Sequence, residues 1–394
     1  MRPAPTGSRS RGVDFLDLDS QFTEEEQMVR DSVRAFVNDK VLPIISDCFQ
    51  EGRFPTELIP QMGEMGILGS YLKGYGCAGA SQTAYGLVCQ ELERGDSGIR
   101  SFVSVQTSLV MFPIHAYGSE EQKEYWLPRL ASGEAVGCFG LTEPDYGSDP
   151  GGMITRAERT GSGWRLNGSK MWITNGSMAD VAVVWAKTDD GIRGFLVERG
   201  TPGYETRKQK GKYSLRASVT SELYFDNCEL PEGAILPKSG GLKSPLTCLS
   251  SARFGIAWGA VGMAACCYEE ALAYASERMV FGKPVAGHQL QQAKLADMLA
   301  EISMGQCLNF RVARMLEAGT GDFSHISLAK REGCRIARRA ARVAREMFGA
   351  NGIMYEYPIA RHLANIESVY TYEGTDDIHT LILGQRITGL PAYS

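Results

Sequence analysis

The period of the hydrophobic residues changes twice along the chain, and this limits what it can fold into. Behind Thr23, the apolar residues Met28, Val29, Val33, Phe36 and Val37 recur at helical spacing, and Thr83 to Glu93 continues the pattern. Thr23 with Glu26, and Ser119 with Gln122, form capping boxes that open helices. From 136 to 245 short β-rich runs take over: Trp164 to Leu166, Met171 to Thr174, Val181 to Ala186, Gly194 to Val197 and Glu222 to Phe225. Gly161-Ser162-Gly163, Asp189-Asp190-Gly191 and Asp226-Asn227 supply turn signals between them. Long helical periods return over Ser251 to Arg278, Gln289 to Ala318 and Ile326 to Phe348, with breaks at Gly282-Lys283-Pro284 and Gly319-Thr320-Gly321. The predicted class is α+β, mainly α. A tail over 1–20, disordered or extended, precedes an N-terminal helical domain (21–136). An antiparallel β-barrel or sandwich (137–246) and a C-terminal four-helix bundle (247–394) follow.

With 394 residues the chain is long enough for two or three packed units. The net charge of -5 gives no basic excess for nucleic acid. Local basic clusters at Arg207 to Lys212 and Arg335 to Arg345 read as solvated faces or subunit contacts, or else as anion sites. No apolar run approaches the roughly 18 residues of a membrane span, and Met1 to Gly12 lacks the apolar core of a secretory signal. That segment reads as a disordered tail, or as the remnant of a transit sequence. Ten cysteines without a Cys-x-x-Cys pair suit reduced thiols in a cytosol-like compartment, and five scattered histidines predict no metal site. Gly74 to Gly79 fits G-x-G-x-x-G but lacks a preceding strand, so it is expected to be a loop between helices.

Several segments in order resemble the acyl-CoA dehydrogenases. They are Cys138 to Pro144 with Gly147-Ser148-Asp149, Lys170 to Asn175, Arg278 to Gly282, Gln289, Met347 to Gly352, and Tyr372-Glu373-Gly374-Thr375. The resemblance covers nearly the whole chain and implies that family's fold, bound FAD and an acyl-CoA substrate. It also implies an electron-transfer flavoprotein as partner and a homotetramer, in the cytoplasm or a mitochondrial matrix. By resemblance, Phe139, Leu141, Thr142, Trp172, Ile173, Thr174, Glu346, Met347, Gly349, Ala350 and Thr375 contact the flavin, with Arg278, Phe281 and Gln289 reaching it across a subunit boundary. A flavin needs backbone donors and acceptors at its pyrimidine edge and a hydroxyl near N5. The Leu141-Thr142 backbone and Thr174 can supply these, and Trp172 a flat wall. Without the resemblance, Trp172 and Ile173 read as barrel core, and Gly349 and Gly352 as helix caps.

In the family a Glu at the place of Glu373 removes the α-proton of the thioester, which needs a carboxylate of raised pKa. The family's other base position falls on Ala252, which cannot serve. Glu91 to Ser101, the segment Phe102 to Leu109, Cys248 to Gly255 and Arg361-His362 resemble the glutaryl-CoA dehydrogenases. In that subfamily an arginine at the place of Arg100 grips the distal carboxylate, and Glu93 and Tyr372 match decarboxylating members. Ser101, Ser104, Ser148, Cys248, Leu249, Arg253 and Gly374 complete the implied substrate site. Read by itself, Arg100 is an ion-pair partner of Asp96 or Glu93. The resemblance thus implies oxidation and decarboxylation of glutaryl-CoA to crotonyl-CoA, a step of lysine and tryptophan degradation. A non-decarboxylating dehydrogenase of another dicarboxylic or aryl-substituted acyl-CoA, or an acyl-CoA oxidase, would carry similar residues. Glu346, Ala350 and Asp377 depart from the commoner family residues.

Overall fold

Helix starts follow the caps. In the computed structural model, which describes residues 13–393, Thr23 and Glu26 bond reciprocally to open α1 (Glu24–Phe36). The first twelve residues of the expected tail lie outside the described chain. In the rest of that tail Val13 is buried among the C-terminal helices, Phe15 and Leu16 are exposed, and Leu18–Gln21 forms a 3-10 turn. Next come α2 (Leu42–Glu51), α3 (Ile59–Glu64) and a small hairpin, β1 (Lys73–Gly74) with β2 (Cys77–Ala78). The Gly74 to Gly79 motif forms the tip and second strand of this hairpin, between helices. There follow α4 (Gln82–Gly95), α5 (Ser97–Ser104), a buried π-helical turn (Val105–Met111), α6 (Phe112–Tyr117) and α7 (Glu120–Ser132), which opens on the Ser119–Gln122 box.

The break between α4 and α5 shapes the site. Asp96 is extended, and its carboxylate caps the Gly98 N–H at 2.7 Å while accepting from Arg361 at 2.8 Å and Asn365 at 2.9 Å. The elbow sets Glu93 of α4 against Arg100 of α5. Farther on, the Gln106 amide donates to the carbonyls of Leu130 and Ala135 and accepts from Gly137 N–H, joining the helices to the first sheet strand.

The sheet comprises β3 (Gly137–Gly140), β4 (Arg156–Thr160), β5 (Gly163–Thr174), β6 (Val181–Thr188), β7 (Gly191–Glu198), β8 (Tyr204–Lys208) and β9 (Thr220–Pro231). Their order is β3-β6-β4-β5-β9-β8, with β7 on the other edge of β6. It is not purely antiparallel as expected, because β3 and β4 each pair parallel to β6. Trp164 to Leu166 and Met171 to Thr174 belong to one strand, β5, interrupted by bulges. Asp226-Asn227 is likewise no separator; it is an irregularity inside β9, with Asn227 left-handed at φ 46°.

The C-terminal part is α8 (Lys243–Glu277), a hairpin of β10 (Met279–Val280) and β11 (Lys283–Pro284), α9 (Gln289–Glu317), α10 (Phe323–Met347), α11 (Pro358–Thr371) and α12 (Asp376–Thr388). The first four of these helices form the bundle, and α12 packs on α10. Apolar nearly all round, α8 runs through the interior. Its glycines let α4 come close: an added Cβ would lie 2.6 Å from Glu93 Oε2 at Gly259 and 2.1 Å from the Gln90 carbonyl at Gly262. The inward residues of α12 are Asp376, His379 and Ile382, while Ile378 and Leu381 are only half-buried.

Candidate active site

The chain turns sharply where α11 ends. Glu373 (φ 52°) and Gly374 (φ 99°) are both left-handed, and Thr375 Oγ1 then accepts the Ile378 N–H at 3.2 Å to open α12. A side chain at position 374 would sit 2.9 Å from His379 Nε2, so glycine is required there by space as well as by φ. For Glu373 the left-handed backbone costs roughly 1–2 kcal/mol. Two buried cations hold the turn. Arg253 Nε donates to the Glu373 carbonyl at 2.6 Å, and Lys330 Nζ donates to the carbonyls of Gly374 (2.8 Å), Tyr372 (3.2 Å) and Tyr370 (3.4 Å). Glu373 Oε2 is buried without a hydrogen-bond partner in the chain. Burial pushes the Glu373 carboxyl up to about 7, against the pull of Arg100, Arg253 and Lys330.

Beside the turn, Arg100 is 1% exposed and is gripped by Glu93 and by the Tyr372 hydroxyl. Its pairing reads as half of the bare-sequence alternative: the partner is Glu93, while Asp96 goes to Arg361. Burial works against the Arg100 charge, but Glu93 and Tyr372 more than offset it and hold the guanidinium protonated. Glu93 Oε1 and Ser104 Oγ are buried without partners. Thus the fold gathers Glu93, Arg100, Tyr372, Glu373, Gly374 and Arg253. Ser101 is buried on α5, and Cys248 is buried on α8 with its thiol toward the Ser244 carbonyl. Leu249 is half-buried, and Ser148 is exposed in the loop between β3 and β4. Ala252 is fully buried; beside it Tyr71, Ser251, Ser108 and Tyr85 share hydroxyl hydrogen bonds of 2.6–3.4 Å.

A second surface is built where β3 meets β5. Met171 N–H donates to the Thr142 carbonyl at 2.9 Å. Lys170, fully buried, donates to the Leu141 carbonyl (3.1 Å) and to Glu143 (2.8 Å), which also accepts from the N–H groups of Ile154 and Thr155. Burial lowers Lys170 to about 8. Burial also works to raise Glu143, but Lys170 and the backbone donors outweigh it and hold the carboxyl below its usual range. The bulge before Ile173 turns Trp172 outward: it is left-handed (φ 63°) and 58% exposed. Phe139, Leu141 and Ile173 are buried, and Thr142 and Thr174 are half-buried. Ile173 thus keeps the core reading for its side chain and Trp172 does not. An exposed indole two residues before the half-buried Thr174, on the strand that bonds to the Thr142 carbonyl, offers a flat face to a planar cofactor.

The other predicted cofactor residues lie elsewhere. Arg278 caps the far end of α8, 25 residues beyond Arg253, or about 37 Å along the helix. Phe281, at the tip of the β10–β11 hairpin, is 95% exposed, and Gln289 is exposed too. Met347 is buried, Ala350 is exposed, and Glu346 pairs with Lys294 at 3.0 Å. Gly349 is left-handed with open space where a side chain would stand. Gly352 has another reason to be glycine: an added Cβ would meet the Arg345 carbonyl at 2.4 Å. The basic clusters are largely paired: Arg335, Arg338 and Arg339 meet Asp376, Glu367 and Glu301, and Lys212 is tied to carbonyls of Leu215 and Ser218.

Reading the sequence did not single out Lys330, the Lys170–Glu143 pair or Gly259. The signal for the pair was there, a charge of each sign inside two otherwise apolar strand-end motifs. Lys330 carried no such signal in an amphipathic helix rich in basic residues. Among the described residues, no helix is long and apolar enough to cross a membrane, and no group of three or more His, Cys, Asp or Glu is placed to hold a metal.

Comparison with known proteins gives the family and the fold. Family models match residues 23–134 (acyl-CoA dehydrogenase, N-terminal domain), 138–228 (middle domain) and 239–388 (C-terminal domain). An acyl-CoA dehydrogenase of Bacillus subtilis (strain 168) is 37% identical over 374 residues, 93% of this chain and 99% of that protein. The crystal structure of glutaryl-CoA dehydrogenase from Mycobacterium smegmatis is 54% identical, with a TM-score of 0.96 over 98% of this chain and 100% of that one. A second structure described as a glutaryl-CoA dehydrogenase from Mycobacterium smegmatis, in complex with FADH2, is 51% identical with a TM-score of 0.97 at the same coverage. With all three parts matched, in order and over nearly its full length, the chain belongs to the acyl-CoA dehydrogenase family.

Proposed function

We propose that the protein oxidises and decarboxylates glutaryl-CoA to crotonyl-CoA, with Glu373 as base, FAD as cofactor and an electron-transfer flavoprotein as electron acceptor. The observation that carries the substrate is the charge balance of the buried cluster. With Asp376 paired off by Arg335, three cations, Arg100, Arg253 and Lys330, face two carboxylates, Glu93 and Glu373. A dicarboxylate tail would supply the missing negative charge, and Arg100 offers a fork for it. Support also comes from the two glutaryl-CoA dehydrogenase structures, one of them an FADH2 complex.

In this reading the Leu141–Thr142 backbone, Trp172 and Thr174 hold the isoalloxazine. Arg278, Phe281 and Gln289 reach the flavin of a neighbouring subunit in a homotetramer, which accounts for their distance from Glu373. Bound FAD supplies the acceptor for the β-hydrogen and its electron pair. Glu373 takes the α-proton; its raised pKa brings it close to the task, and its backbone N–H supports the charge that develops on the thioester oxygen. Arg100 and Tyr372 fix the distal carboxylate until CO2 departs, and protonated Glu373 returns its proton to the product. The test is anaerobic bleaching of the holoenzyme by a panel of acyl-CoAs, with products identified by mass. Glutaryl-CoA should bleach fastest and yield crotonyl-CoA and CO2. A glutaconyl-CoA product, or faster reduction by a longer or aryl-substituted dicarboxylic ester, would replace this reading by the non-decarboxylating one. Turnover with oxygen as fast as with an artificial acceptor would make the protein an oxidase.

A further inference from the structure

We propose that Lys330 is a positioning residue for the base: its buried ammonium gathers the backbone turn that carries Glu373 and keeps positive charge behind the carboxylate. This rests on Glu373 being the base. Lys330 lies on α10, 43 residues before Glu373, and is 1% exposed. An ammonium has three donors, and all three are used on carbonyls of one short segment: Tyr370, Tyr372 and Gly374. Two of those carbonyls flank Glu373, and Arg253 holds the carbonyl of Glu373 itself. The last carbonyls of α11 carry the negative end of the helix dipole, so a cation there is favoured. A surface helix would satisfy those carbonyls with water. Here the buried Lys330 ammonium does so instead.

The arrangement fixes two things. The first is geometry. Glu373 is left-handed although it has a side chain, and such a conformation persists only when its surroundings impose it. Lys330 imposes it from both sides. The second is charge. The groups around Glu373 are Arg100 on α5, with Glu93 of α4 behind it, Tyr372, Arg253 on α8, Lys330 on α10, and Asp376 and His379 on α12. Cys334 faces Lys330 from its own helix. Asp376 is engaged by Arg335 at 2.7 Å, and burial holds His379 down at about 3, so it is neutral. Burial lowers Lys330 too, yet its three carbonyl acceptors favour the charged form. Removing it would leave Glu373 harder to ionise and its turn unheld.

The test uses the FAD-loaded holoenzyme and three variants. Lys330→Met removes charge and donors, Lys330→Gln removes charge but keeps two donors, and Lys330→Arg keeps charge. Single-turnover flavin reduction by glutaryl-CoA is followed across pH, together with equilibrium binding of the ester. In Lys330→Met and Lys330→Gln the acid limb should move up by about one unit, which well below neutral pH is about a tenfold slower reduction. Binding should change less than about threefold, and Lys330→Arg should bring the limb back toward wild type. Should Lys330→Met fail to fold, Lys330→Gln carries the test. A limb that stays put in the neutral variants, or a rate lost equally at every pH, would overturn the proposal. Glu373→Gln in the same assay separates the two readings. If it reduces flavin normally, the base assignment fails; if it is inactive while the Lys330 limb stays put, only this inference does.

Discussion

Two buried ion pairs, Lys170–Glu143 beside the sheet and Arg100–Glu93 between the helices, use their oxygens very differently. Both are almost wholly removed from water. In the first, Glu143 takes Lys170 and two backbone N–H groups, and Lys170 takes a carbonyl as well. In the second, Glu93 keeps one buried oxygen without a partner, and the neighbouring Glu373 keeps another. Native interiors rarely leave such atoms unpaired, so the places where they occur need a reason. A saturated network is scaffold: it fixes the loop of Leu141 and Thr142 against β5. An unsaturated one keeps capacity for a proton or a ligand. The difference separates what holds the site from what does the work in it.

The comparison is tested hardest at Glu373. Glu373→Gln should lower the rate of flavin reduction by glutaryl-CoA by about 10⁴-fold, the upper end for general base catalysis, with ester binding within about threefold. Stopped-flow bleaching and an equilibrium titration would show it, and residual turnover within about tenfold of wild type would mean another base. On the scaffold side, Lys170→Met leaves the Glu143 carboxylate buried without its cation and should cost about 3–5 kcal/mol of stability. Chemical denaturation of the holoenzyme measures this. The preference among acyl-CoAs, compared by their kcat/KM ratios, should stay as in wild type. A changed preference would erase the distinction between the two pairs.

Arg100, Glu93, Tyr372 and Glu373 were all legible as candidates, because each sits in a short contiguous motif. Their convergence was legible only through family resemblance, since Arg100 and Tyr372 lie 272 residues apart in the chain. The scaffold was harder to read. The tie between Glu143 and Lys170 depends on the pairing of a loop with β5, which no local pattern encodes. Strand β8, Tyr204–Lys208, is an exposed, charged edge strand and shows no alternation. The parallel pairing of β3 with β6 joins segments 44 residues apart and leaves no period behind. Glycines such as Gly259 looked like ordinary small residues in an apolar helix, and only the approach of Glu93 reveals their purpose.

Arg100 sharpens the functional half of the comparison. Arg100→Ala should reduce kcat/KM for glutaryl-CoA by about 3 kcal/mol, or about 100-fold, relative to its effect on butyryl-CoA. Arg100→Lys should recover only part of that, because a point charge replaces a fork. Steady-state kinetics with both esters decide it. Equal losses on the two would make Arg100 a structural partner of Glu93, no different in kind from Lys170.

The smallest effect expected is in the pH dependence, and it is the most specific. Glu373 is raised by burial to about 7, so the base form dominates above that pH. Below it, kcat/KM should fall about tenfold per unit, because that parameter reports the free enzyme. Arg100 is one of the three cations that keep Glu373 from rising further. A carboxylate bound to Arg100 offsets that cation. The single-turnover reduction rate at saturating glutaryl-CoA should therefore show its acid limb at higher pH than kcat/KM does. Butyryl-CoA brings no second charge and should show a smaller separation. An equal or larger separation with butyryl-CoA would mean that desolvation by the bound ester, and not charge at Arg100, tunes the base.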